Sequence, residues 1–190
     1  MSSGSLYRRL LGSDFERLPG GLRRFHDCPD GGRGAGRFDV QRGPGLVARW
    51  LGWLLRLPRT GTGVPMTLQV SVEGGRERWL RDFDGRCLES IQWHERGALV
   101  ERAGLLRLAF RVSADEAGMD FVSRRAWFTC VPLPGFLRPR VEASALAEGH
   151  GWRVRVRVWL PWGGLLVGYD GTVVPQSPRK PAVREGGQFD

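Results

Sequence analysis

The sequence predicts an α+β fold: two or three N-terminal helices lead into a strongly curved antiparallel β-meander, barrel-like or half-barrel, of about nine strands. Three observations predict it. Met66–Phe83 reads as a hairpin turning at Gly74-Gly75, with Leu68, Val70 and Val72 on one face of the first arm and Trp79, Arg81 and Phe83 on one face of the second. The later links are short and turn-like, as between antiparallel neighbours; parallel strands would need long crossovers. The helical segments upstream carry apolar faces that need a sheet to cover.

Taken in order, Ser5 to Leu11 carries a short helical pattern. Asp14 can cap a second helix over FERLPGGLRRFH, where Phe15, Leu18, Leu22 and Phe25 share a face, and Pro19-Gly20-Gly21 should kink or split it. The next stretch is rich in Gly, Pro and charge, a loop around one extended piece at Gly36–Arg42. Leu46–Leu55 is the best helix in the chain, apolar around most of its circumference, with Arg49 and Arg56 as exceptions. Strands are then expected near 66–73, 76–83, 86–95, 98–102, 105–113, 118–131, 140–148, 151–160 and 164–174, and the proline-rich Pro132–Arg140 marks a corner. Residues 1–175 are expected to form one domain, with a helical and loop part over 5–58 and the meander over 66–174. The tail 176–190 reads as disordered.

The net charge of +9 comes almost wholly from Arg, Lys180 being the single Lys. These cations are scattered and form no basic block, which disfavours a nucleic-acid partner. Cys28, Cys87 and Cys130 are far apart and form no C-x-x-C pair, so neither a disulfide framework nor a structural zinc site is indicated. No secretory leader and no apolar run of about 18 residues is evident, and the expected location is cytoplasmic.

Several anchors come in one order: LYRRLLGSDFERLPGGLRRFH, the GRGAGRFDVQRG loop, VPMTLQVSVEGGRERWLRDFDG, the PLP corner and GLLVGYDGTVVP. Together they resemble a bacterial family of domains of unknown function, number 4166, over about residues 5–175, with this chain as a standalone member. Members also occur behind oxidoreductase-like domains. The resemblance implies a cytoplasmic accessory or ligand-handling module and supplies no catalytic residues. Many relatives read R-Y-x-G near the end, where this chain has Gly168-Tyr169-Asp170-Gly171.

The residues themselves point to ligand binding. If Trp79 and Phe83 face inward, so does Arg81, and a buried guanidinium needs a carboxylate such as Glu101 or Asp170, or an anionic ligand. Tyr169 is in phase with Leu165, Val167 and Val173, and Glu101 follows an apolar pair. The candidate lining is therefore Trp79, Arg81, Phe83, Glu101 and Tyr169, around a hydrophobic or anionic small molecule, with no cofactor and no metal. The alternatives are a cofactor-free isomerase or cyclase, with Glu101 and His94 to check, and a module docking on an oxidoreductase or on a membrane through Leu46–Leu55. Arg153, Arg155 and Arg157 alternate with valines and read as a solvated outer face. His26, with Asp27, Cys28 and Asp30, lacks metal-ligand spacing.

Overall fold

A closed ring of hydrogen-bonded strands follows the N-terminal helices in the computed structural model, which describes residues 4–162 and 164–176. The expected tail beyond Gln176 lies outside the described residues. Ser5 caps α1 (Leu6–Leu11) by accepting the Arg8 N–H at 3.3 Å. The helix expected over 15–26 is split, because proline disrupts a helix interior. A 3-10 turn (Gly12–Arg17) comes before the break at Leu18-Pro19, and α2 (Gly20–His26) after it.

The strands are β1 (Gly32–Arg42), β2 (Gly61–Glu73), β3 (Arg76–Phe83), β4 (Arg86–Glu95), β5 (Ala98–Ala103) and β6 (Leu106–Ala114). They continue with β7 (Gly118–Phe128), β8 (Val131–Pro132), β9 (Arg140–Glu148), β10 (Gly151–Trp159) and β11 (Leu165–Gln176). All pairings are antiparallel. Each barrel strand pairs with the next, β7 passes to β9, and β11 returns to β1. The result is a closed barrel of ten strands, with β8 outside it on β7. Closure leaves no strand edge within the ring for another chain to pair with.

The curved meander is as expected, but the strand missing from the expected set is the one that closes it. Gly32–Arg42 is an eleven-residue strand, where the sequence suggests only a short extended piece at Gly36–Arg42 within a loop. Its glycines mark a close approach of two backbones. A Cβ at Gly36 would stand 2.0 Å from the Thr172 carbonyl oxygen, and one at Gly171 would stand 2.1 Å from that of Arg37. Here glycine is a packing requirement of the seam.

The two ends of the barrel differ. The lower end carries the β2–β3, β4–β5, β6–β7 and β9–β10 turns, and α1 and α2 sit there, packed on β4, β6 and β10. At the upper end lie the Pro132–Arg140 corner, with its 3-10 turn at Gly135–Leu137, and α3 (Leu46–Leu54). Arg42 fixes α3 there: its guanidinium donates to the carbonyls of Pro58 (2.7 Å), Gly52 (3.2 Å) and Leu57. A cation at a helix C-terminus also complements the helix dipole.

The outer wall is polar. Arg153 and Arg155 both grip Asp170, at 2.7 and 2.8 Å, and Arg78 pairs with Glu89 at 2.8 Å. Apolar side chains predominate inside, the reverse of the order in a membrane-spanning barrel. No helix among the described residues is long and apolar enough to cross a membrane.

Gly171→Val drives a side chain into the seam, a strain of about 1–3 kcal/mol. Thermal melts should show the transition falling by about 2–12 °C. Gly135→Ala, where an added Cβ meets nothing within 4 Å, should leave it unchanged.

Candidate functional site

Alternation along β3 turns Glu77, Trp79, Arg81 and Phe83 into the barrel. On the neighbouring strands Ser90 and Gln92 of β4 and Glu101 of β5 face the same interior. From below, Tyr7 of α1 reaches in and its hydroxyl donates to Gln92 Oε1 at 2.9 Å. Tyr7 also packs on His26 (4.1 Å between ring centres) and on Phe121 (6.3 Å). Phe25 fills the remaining floor against Trp152 at 4.7 Å and Trp79 at 6.2 Å. The N-terminal helices thus form an aromatic plug.

Above the plug is the one inward-facing ion pair among the described residues. Arg81 Nη1 donates to Ser90 Oγ at 3.0 Å and lies 3.6 Å from Glu101 Oε1. Its guanidinium stacks over Trp79 at 4.9 Å, a cation–π contact. Side chains of both Arg81 and Glu101 keep 20% of their surface bare, although both point inward. Tyr169, Leu88, Val154 and Val158 are likewise only half-buried on their inward faces. The wall outside them is a hydrogen-bonded sheet, so these partly bare side chains line the inward face of the barrel. Eight strands enclose an interior just wide enough for side chains to fill, and the width grows with strand number. Ten strands leave more room.

Burial sets the protonation of this interior. It pushes the Glu77 carboxyl from 4.5 up to about 7, against the opposing effects of the Trp79 indole, which donates to Glu77 at 3.0 Å, and of Arg9. Burial holds the His26 imidazole neutral, lowering it from 6.5 to about 3. Burial, followed by the nearby Glu77 and Glu101 carboxylates, raises the Tyr7 phenol. The Tyr169 phenol is also raised by burial, with Arg81 acting in the opposite direction.

The five residues singled out from the sequence fall into two groups. Arg81, Glu101 and Tyr169 are inward-facing and only partly buried. Trp79 and Phe83 are packed away: Trp79 lies against Phe25 and His26, and Phe83 lies against Phe38 (5.6 Å) and Tyr169 (5.1 Å). Of the two carboxylates considered for Arg81, Glu101 meets it and Asp170 is on the outer wall. His94 is exposed at the lower rim, in a crevice of about 350 Å³ beside Gly74 and Gly75. His26 serves the plug, and no group of three or more metal-capable side chains occurs among the described residues.

Sequence reasoning missed Glu77, Ser90, Gln92 and Tyr7. Glu77 was within reach, two residues before Trp79 and in phase with it. Tyr7 was not, since nothing local shows that α1 enters a barrel.

The arrangement of barrel, plug and seam spans the region matched by one family model, Domain of unknown function (DUF4166), over residues 18–173. The chain belongs to the DUF4166 family. No curated protein and no solved structure matches it. Within this DUF4166 chain the matched region includes the inward ion pair, β1 and all but the last three residues of β11, whereas α1 with Tyr7 precedes it.

The fold holds the Glu77 proton more tightly than the unfolded chain does. The resulting stabilisation is complete below pH 4.5 and is lost as pH rises through about 7. His26 acts in the opposite sense, stabilising fully above pH 6.5 and losing its effect as pH falls towards 3. Glu77→Gln removes only the first dependence. Relative to the parent, the variant should gain stability between pH 4.5 and 7.5, by up to roughly 3 kcal/mol. Thermal melts across that range check it, and parallel profiles for the two proteins would contradict it.

Proposed function

We propose that this domain binds an amphipathic small molecule inside the barrel, the polar head on Arg81 and Glu101 and the apolar body along the inward aliphatic and aromatic side chains. One observation carries the reading: a guanidinium and a carboxylate face each other on the inward side of a closed sheet, and each keeps 20% of its side-chain surface bare. Buried ions are costly and give little net stability even when paired. A packed apolar interior would serve a plain scaffold as well, so a polar head to be recognised is a reason to keep them.

Glu101 sharpens the ligand chemistry. At 3.6 Å it offsets the charge of Arg81, so the couple offers a donor fork beside an acceptor. A head group that both accepts and donates, such as a hydroxyl, an amide or a protonated acid, fits this couple better than a full anion. Tyr169 adds a phenol close by.

A second reading, a cofactor-free isomerase or cyclase on the same barrel, is favoured by Glu77. A buried carboxyl near neutrality is suited to moving a proton. Trp79 and the plug cover Glu77, and so the binding reading is preferred.

The test is native mass spectrometry and solvent extraction of the purified chain, with displacement of a fluorescent long-chain alcohol. The parent should carry or take up one amphipathic molecule. The double variant Arg81→Leu/Glu101→Leu removes both charges together and leaves neither ion stranded, so the fold should be kept. Its affinity for the probe should fall at least about tenfold, the loss of one good polar contact. Bare parent protein that ignores the probe, or equal binding by the double variant, overturns the proposal.

A further inference from the structure

The large apolar side chains left exposed are concentrated at the upper end of the barrel. Among the described residues only Val72, Leu146 and Val174 are exposed elsewhere. α3 is seated by its small residues, Ala48 and Gly52, which are buried, with Gly52 against the Arg42 guanidinium. This turns its bulk outward: Leu46 is 80% exposed, Trp53 71% and Trp50 59%. The other upper connections continue the surface, with Leu105 between β5 and β6, Phe136 in the proline corner and Trp162 between β10 and β11. Four separate connections thus contribute to one collar.

Charge separates the two ends as well. No acidic residue occurs between Asp39 and Glu73, between Asp120 and Glu142, or between Glu148 and Asp170. These intervals contain α3, the proline corner and the β10–β11 turn. Among the upper connections only the β3–β4 turn carries an acid, Asp84. Arg49, Arg56 and Arg59 are exposed beside the α3 tryptophans, and Arg124 and Arg125 lie near the corner. The lower end carries acids in or beside its turns: Glu73, Glu95, Asp115, Glu116 and Glu148. The molecule is polarised along the barrel axis, with its acid-poor, aromatic end opposite the plug.

We propose that this upper collar docks on an anionic lipid bilayer, with α3 lying in the headgroup region. Trp and Leu on an exposed helix face enter the interface, and arginines beside them meet lipid phosphates. The charge polarity orients the barrel with this end towards the surface. An acidic protein partner would account for the arginines, but Trp, Leu and Phe spread over four connections match a broad, deformable apolar layer. The proposal does not depend on what the barrel holds, and its test needs no internal ligand.

The full chain is sedimented with vesicles of phosphatidylcholine containing phosphatidylglycerol, and with phosphatidylcholine alone, at low salt. Brominated lipids report tryptophan insertion. The parent should pellet with the anionic vesicles and show bromine quenching, and salt should weaken the binding. Trp50→Ser/Trp53→Ser should lower partitioning at least about tenfold and remove most of the quenching, with melting unchanged because both side chains are exposed. Arg49→Glu/Arg56→Glu should lower binding to anionic vesicles only. A parent that stays in the supernatant at low salt overturns the proposal. So does a parent that instead self-associates through Trp53, which would make the collar a protein interface. Vesicle binding that neither double variant reduces also overturns it.

Discussion

The interaction on which the rest depends is the seam between β1 and β11. Once these strands pair, the ring has no outlet, and every inward side chain must be satisfied by another inward side chain, by the plug or by a guest. The seam brings the backbones so close that glycine is needed at positions 36 and 171. This close approach lets the C-terminal strand return to the N-terminal one. The barrel is therefore closed by residues 32–42, the segment whose composition most resembles a loop.

Closure gives meaning to the polar groups inside. On an open, water-washed sheet an Arg among aromatics would be unremarkable, since its charge would stay hydrated. Inside a barrel Arg81 needs Glu101, Ser90 and the Trp79 face, and all three contact it. The lower half of the interior is completed by hydrogen bonds from Tyr7 to Gln92 and from Trp79 to Glu77. Polar satisfaction is thus nearly complete beside the plug. Further up, Arg81 and Glu101 are paired with each other and still keep bare surface.

How much of this was legible follows from the range of each interaction. Period-two alternation is local, so β3 and the orientation of Arg81 relative to Trp79 and Phe83 could be read from the sequence. That Arg81 needs a partner could be named as a requirement of burial, with Glu101, Asp170 or an anionic ligand as candidates. The choice of Glu101 depends on which strand lies alongside. Glu77 was overlooked although the same alternation places it inward. The contacts of Tyr7 with Gln92, 85 positions apart, and the β1–β11 seam depend on closure. No window of sequence contains both sides. Glycine compounded the difficulty at the seam, because composition does not distinguish a turn from a place where two backbones touch.

The helix Leu46–Leu54 shows the same limit in another form. Its apolar residues cover most of the circumference, and from sequence alone the face that packs is undetermined. The natural assumption is that tryptophans turn inward. The structure selects the small face, because α3 sits across the strand ends at the rim and Arg42 must reach its C-terminal carbonyls past Gly52. A bulky residue at position 52 would meet that guanidinium. Anchoring by Arg42 and burial of the tryptophans are therefore competing demands on one helix, and the anchor prevails. The two ends of the barrel consequently use aromatic residues in opposite ways. Below, Phe25, Trp79 and Trp152 are spent sealing the interior against water; above, Trp50 and Trp53 stay free for whatever the upper end faces.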